Sequence, residues 1–227
     1  MREDTREAVK ACGNLTDAQI DDVIFHTYYH YTDAVVAVNF EGTDECKEKY
    51  FTEDTWEEMN EIQRVYLTDW FTKGTRDLMV SRLLRKPLRH MQEKVDSLTK
   101  AGPDGPLKFM IYSAHDTQVD NMMVFLEQNK TAIPYIPYAS QVIFELTYSQ
   151  HCLESSGEKE GCFRVAVFYN GQALTFPGCD DETLDSGCRY DLFMKYMESI
   201  FYPGDLDQAC YQPIKPHACD QPTQAQI

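Results

Sequence analysis

A chain of 227 residues that is 43% hydrophobic and 12% aromatic has the material for a buried core, which excludes a disordered polypeptide. Its 37 acidic against 21 basic side chains give a net charge of −16. That balance excludes nucleic acid or an anionic membrane as the main partner, since both demand basic surface, and no apolar run reaches the length of a membrane span.

Residues 1–50 are polar and helix-leaning. Ile20, Val23, Ile24, Tyr28 and Tyr31 predict a helix within 18–38, and Gly42-Thr43-Asp44 reads as a loop. Thr55 with Glu58 has the form of a capping box opening a long helix, with Trp56, Met59, Gln63 and Tyr66 along one side. Gly74 is expected to end or loosen that helix. A second follows through Leu78, Arg82 and Leu83, and Pro87 predicts a kink or a new start. Leu88, Met91, Val95 and Leu98 then form a core stripe at helical spacing.

Pro103-Asp104-Gly105-Pro106 is a turn. The apolar run Phe109 to Tyr112 predicts a strand buried on both faces of a parallel or mixed sheet. Ser113 and Ala114 lead to an adjacent His115 and Asp116, and then to a helix that Asp116 or Thr117 could cap. Val119, Met122, Met123 and Leu126 make its apolar face. The pair would thus stand at the carboxyl end of a strand and beside a helix N-terminus, a position that suits an anion.

Beyond it the prolines of 133–138 exclude helix. Val142, Phe144, Leu146 and Tyr148 alternate as a half-buried strand should. Gln150–Gly161 reads as a polar hairpin loop, Phe163–Tyr169 as a strand, Asn170-Gly171 as a turn, and Leu192, Tyr196 and Ile200 as a short helix. The order implies an α/β fold: a helical subdomain over 1–102, a sheet-containing core portion over 103–202, and a tail over 203–227.

The eight cysteines fit an oxidising compartment, and no C-x-x-C pair points to metal. The simplest pairing joins Cys152 to Cys162, Cys179 to Cys188 and Cys210 to Cys219, leaving Cys12 and Cys46. Asn14-Leu15-Thr16 and Asn129-Lys130-Thr131 are glycosylation sequons. Met1-Arg2-Glu3-Asp4-Thr5 carries no apolar signal-peptide region, so the reading is of a mature piece, a recombinant piece or a truncated gene product.

Tyr112-Ser113-Ala114-His115-Asp116-Thr117 closely resembles the histidine acid phosphatases, in the prostatic and lysosomal branch. Pro137-Tyr138-Ala139-Ser140 before a strand, Tyr169-Asn170-Gly171, and Phe176-Pro177-Gly178-Cys179 follow in the family's order, and Cys46 ahead of a helix near Trp56 fits too. The resemblance covers roughly residues 40–210. It implies a phosphoglycerate-mutase-like sheet with a helical subdomain, and hydrolysis of phosphomonoesters, small or on phosphoproteins, through a phosphohistidine without a cofactor. It implies an extracellular or lysosomal lumenal setting. In it, His115 would contact the phosphoryl oxygens, and Asp116 would protonate the leaving alcohol. An ordinary aspartate titrates near ~3.9, so such a site must raise that value or work in acid.

The sequence departs from the family in lacking Arg-His-Gly, the motif of the attacking histidine; its Arg89-His90 is followed by Met91 on a helix. The resemblance therefore implies that the first strand of the sheet and the nucleophile lie outside this chain, in the undivided natural protein or in a second chain. Gln141 stands where the family has a cysteine, which leaves the partner of Cys46 open, and Cys210 or Cys219 would ordinarily pair with the absent region. A catalytically inactive relative serving as a structural or interaction subunit is the alternative. A phospho-ligand binding module using His115 is a third reading. His26 and His30 have metal-ligand spacing without a third ligand, so helix packing is the simpler role.

Overall fold

The computed structural model describes residues 3–12, 16–18, 30, 32–34, 36–37, 40, 52–69, 71–100, 107–126, 136–179 and 187–211. The expected helix over 18–38 falls mostly outside these residues, and the loop at Gly42 wholly so. The chain divides into two units, one of residues 1–70 and 129–137, the other of 71–128 and 138–227.

In the first unit, helix α1 (Glu3–Cys12) packs on helix α2 (Glu53–Asp69). Ala8 and Val9 of α1 and Met59 and Leu67 of α2 are buried. The buried Thr5 hydroxyl donates to the Glu58 carboxylate. The cap of α2 lies one turn earlier than the sequence suggests. Thr52 accepts the Thr55 amide at 3.2 Å, so Thr55 occupies the third helical position and turns its own hydroxyl to the Thr52 carbonyl.

The second unit opens with helix α3 (Lys73–Thr99), capped by Thr72, whose hydroxyl accepts from the Thr75 amide. Gly74 therefore stands in the first turn of a new helix. Pro87 does not break α3, which runs through 27 residues. A proline interior to a helix costs about 3 kcal/mol, because it withholds an N–H and crowds the carbonyl of residue 83. Burial of Val80, Leu84, Leu88 and Val95 on one stripe offsets that cost. Helix α4 (Asp116–Phe125) packs on α3.

Among the described residues every strand pairing is antiparallel, in place of the expected parallel or mixed arrangement. Strand β1 (Val142–Tyr148) pairs along its length with β2 (Phe163–Tyr169). The other edge of β2 is shared by β3 (Gln172–Ala173) near its end and β4 (Cys188–Arg189) near its start. The register sets Phe144 opposite Val167 and Leu146 opposite Val165, so the alternating apolar residues of both strands share one face. Helix α6 (Tyr190–Ile200) closes that face: Phe193 meets Phe144 and Phe176 edge-on, at 6.5 and 5.4 Å between ring centres.

The anticipated polar loop between β1 and β2 holds a short helix α5 (Gln150–Ser155) and a 3₁₀ turn (Lys159–Cys162), tied by the Cys152–Cys162 disulfide. Asn170 and Gly171 have φ of 47° and 81°, the left-handed pair that a two-residue hairpin between β2 and β3 requires. Gly187 is needed for space and conformation alike: its φ is 71°, and a Cβ there would lie 2.7 Å from the Val165 carbonyl oxygen. The Cys179–Cys188 disulfide holds β4 in this register. Both bonds agree with the pairing by spacing; the third proposed pair and the leftover cysteines fall outside the described side chains. Arg164 and Arg189 sit directly opposite, and Arg189 turns its guanidinium onto Asp191 at 2.9–3.0 Å.

The described start of the expected tail, residues 203–211, packs back on the second unit, and the rest lies outside the described residues. Helix α7 (Leu206–Cys210) follows a backbone amide, Tyr202 N–H, that donates to the buried Ser81 hydroxyl at 2.9 Å, and Leu206 is buried. Among the described residues no helix is long and apolar enough to cross a membrane.

The largest departure from expectation is at 107–115. Phe109–Tyr112 is not a buried central strand. The segment has no strand partner among the described residues, and Leu107, Phe109, Ile111 and Tyr112 are 43%, 78%, 79% and 47% exposed. A run apolar on both faces is buried only between flanking strands and covering layers. Here, among the described residues, neither edge is taken.

Candidate functional site

His115 is the residue before α4, in extended conformation, and its carbonyl accepts the amides of Gln118 and Val119 at 3.0 and 3.1 Å. It is therefore the cap residue by backbone, in place of Asp116 or Thr117. Its side chain makes no capping bond and the residue is exposed. Asp116 opens the helix, half-buried, with Oδ1 accepting the Thr117 amide at 2.6 Å. A carboxylate in the first turn lies at the positive end of the helix dipole. The segment so presents an imidazole in solvent and, next in sequence, a carboxyl group fixed to the helix start.

The rear of α4 holds this start in place. Asn121 is buried and donates to the Thr117 carbonyl at 2.6 Å, while its own carbonyl oxygen accepts from Arg76 Nε at 2.9 Å. Arg76, buried on α3, also donates to the Phe71 carbonyl at 3.1 Å. A buried guanidinium requires such partners. Asp120 is buried on the same helix. Burial pushes the Tyr169 hydroxyl above its ordinary pKa, with smaller opposing pulls from Ser140 and Asn170 and a further push from the Asp120 carboxylate. Met122, Phe125 and Leu126 enter the common core, and Tyr196 donates to the Leu126 carbonyl at 3.0 Å.

Sequence reasoning missed Arg76, Asp120 and Asn121, and singled out Tyr169 only within the Tyr169-Asn170-Gly171 motif. The signal available was the Asp120-Asn121 pair interrupting the apolar face of a short helix. The motifs around Tyr138 and Tyr169 do come together: Asn170 Nδ2 donates to the Ser140 hydroxyl at 3.1 Å and Asn170 Oδ1 accepts the Gln141 amide at 2.8 Å. Phe176-Pro177-Gly178-Cys179 is a core and turn element, with Phe176 buried against Phe193 and Tyr196. His26 lies outside the described residues. Among those described, no group of three or more His, Cys, Asp or Glu side chains is arranged to hold a metal ion.

The site is that of a mixed helix and antiparallel-sheet protein with an exposed His115 beside a half-buried Asp116 at a helix start. Among curated proteins the chain is similar to prostatic acid phosphatase from Bos taurus, at 30% identity over 134 residues. The match takes in 56% of this chain and 31% of that protein, so the chain spans under a third of the relative it matches. No family model and no solved structure matches. The similarity is thus to a phosphatase, and a distant one.

Proposed function

We propose that this chain carries the phosphate-contact and leaving-group half of a histidine acid phosphatase site. The observation that supports it best is the placement of His115 and Asp116 at the start of α4, in a chain distantly similar to an acid phosphatase. His115 contacts the phosphoryl oxygens of a phosphomonoester, borne by a small molecule or a phosphoprotein. A histidine supplied by polypeptide outside these 227 residues attacks phosphorus, the P–O bond to the alcohol breaks, and Asp116 gives its proton to the departing oxygen. Water then hydrolyses the phosphohistidine. No cofactor takes part. Joined to its missing strand, the sheet is of phosphoglycerate-mutase-like type, and the setting is extracellular or lysosomal, in keeping with the two disulfides. Asn14 and Asn129 are glycosylated there.

Turnover of an aryl phosphate tests this. The chain alone is expected to give none above buffer. Added inorganic phosphate is expected to shift the His115 ring resonances, and the shift is expected to survive Asp116→Asn. Substantial turnover by the chain alone would overturn the absent nucleophile, and a His115 ring indifferent to phosphate would remove its role. The exposed apolar segment at 107–112 favours a second reading, a non-catalytic relative serving as an interaction subunit. That reading is the one left if phosphate binds nowhere on the chain.

A further inference from the structure

We infer that the closed end of the β1–β2 hairpin is a binding site for a small organic carboxylate with a flat apolar body. A cleft of about 420 Å³ opens there, within the range that small-molecule sites occupy. Its lining comes wholly from residues 147–164: the end of β1, the start of β2, and the Cys152–Cys162 disulfide between them. The cleft is therefore built by one covalently closed stretch of the second unit, and it draws on neither α4 nor the segment at 107–115.

Arg164 supplies the charge. Among the described residues that line the cleft it is the one ionised side chain. One guanidinium matches a single carboxylate, whose two oxygens fit its fork, better than it matches a phosphate dianion. The register sets Arg164 opposite Thr147 on one side and Arg189 on the other. Two opposed guanidiniums repel, and Arg189 is answered by Asp191 at 2.9–3.0 Å. An anion bound at Arg164 offsets part of that repulsion from the other end of the pair. Of the acids in the same loop, Glu154 accepts from Gln150 Nε2 at 2.9 Å, and the Glu160 carboxylate acts on Lys100 and Tyr190. Both thus have partners outside the lining.

The remaining walls suit the rest of such a ligand. The Ser149 hydroxyl accepts the Cys152 amide at 3.3 Å through a lone pair, which leaves its proton to donate. Thr147 adds a second hydroxyl on the face it shares with Arg164. The Tyr148 ring, 5.8 Å from that of Phe163 between centres, and the disulfide form the apolar wall. A cleft of this size takes an apolar body as well as a charge.

Benzoate is the probe, titrated against the Arg164 Nε–H and Gly161 amide resonances of the chain. Benzamide serves as its neutral counterpart and inorganic phosphate as the bare anion. Benzoate is expected to shift both resonances saturably, with an affinity at least about ten-fold above either control. Arg164→Gln is expected to lower benzoate affinity by about ten-fold. Gly161→Leu is expected to abolish binding with Arg164 still in place. A Cβ at Gly161, which lines the cleft, meets no atom within 4 Å, so the added side chain enters open space and the thermal midpoint stays unchanged. Benzamide that binds as tightly as benzoate overturns the carboxylate, and phosphate that does so overturns the organic body. Benzoate binding that survives Gly161→Leu overturns the site. The readouts sit at 161 and 164 and need no turnover, so this inference and the phosphatase reading can fail separately.

Discussion

The β1–β2–α6 core and the segment from Leu107 to Asp116 belong to one unit yet obey opposite rules. In the core every apolar alternation is answered: Phe144 faces Val167, Leu146 faces Val165, and Phe193 closes over them. In the segment an equally apolar run is answered by nothing among the described residues, and Phe109 and Ile111 stand in solvent. Stability resides in the first region and the His-Asp pair in the second. The difference shows that hydrophobicity alone does not decide burial, because a strand is buried by its neighbours.

Substitutions at matched residue types put that contrast at risk. Phe193→Ala should cost about 3–5 kcal/mol in urea unfolding, since Phe193 is fully buried among Phe144 and Phe176. Cys152→Ser with Cys162→Ser, opening a loop of sequence separation 10, should lower stability by about 2–3 kcal/mol, and the loss should disappear when both proteins are compared under reductant. Tyr190 supplies a test by pH. Burial first, then the carboxylates of Asp96 and Glu160, push its hydroxyl up to about 12, and it donates to Gln92 at 2.8 Å. The folded state holds that proton more tightly than the unfolded chain, so the contribution is complete below about pH 10 and is lost as pH rises toward 12. Tyr190→Phe should flatten this alkaline loss by on the order of 2 kcal/mol between those values, read from urea midpoints across pH. Phe109→Ser should sit at the small end, within about 0.5 kcal/mol of wild type. A loss at Phe109 approaching that at Phe193 would erase the distinction between the two regions.

Much of the core was legible because its signals are local. Alternation in 142–148 and 163–169, the Asn170-Gly171 turn, and the spacing of Leu88, Met91, Val95 and Leu98 each act within a few residues, and the structure follows them. What escaped depends on distant neighbours. Pro87 continues α3 because packing of Leu84 and Leu88 holds the helix, a term invisible in the local pattern. Phe109–Tyr112 was read as buried from its composition, which records what the segment favours and not what surrounds it. His115 and Asp116 were singled out through a motif, while Arg76 and Asn121, which brace the start of α4 across a separation of 45 residues, leave no pattern at that range.

The two disulfides bear on how the protein is made. Cys152 with Cys162 and Cys179 with Cys188 lie 10 and 9 residues apart, so each pair leaves the ribosome nearly together. Their correct partners are also their nearest, and loop closure over so short a span is fast. Under oxidising conditions these bonds can close as the β1–β2 hairpin forms, without waiting for distant chain. The sheet thereby gains its covalent frame early, and the exposed segment is carried on a body already locked.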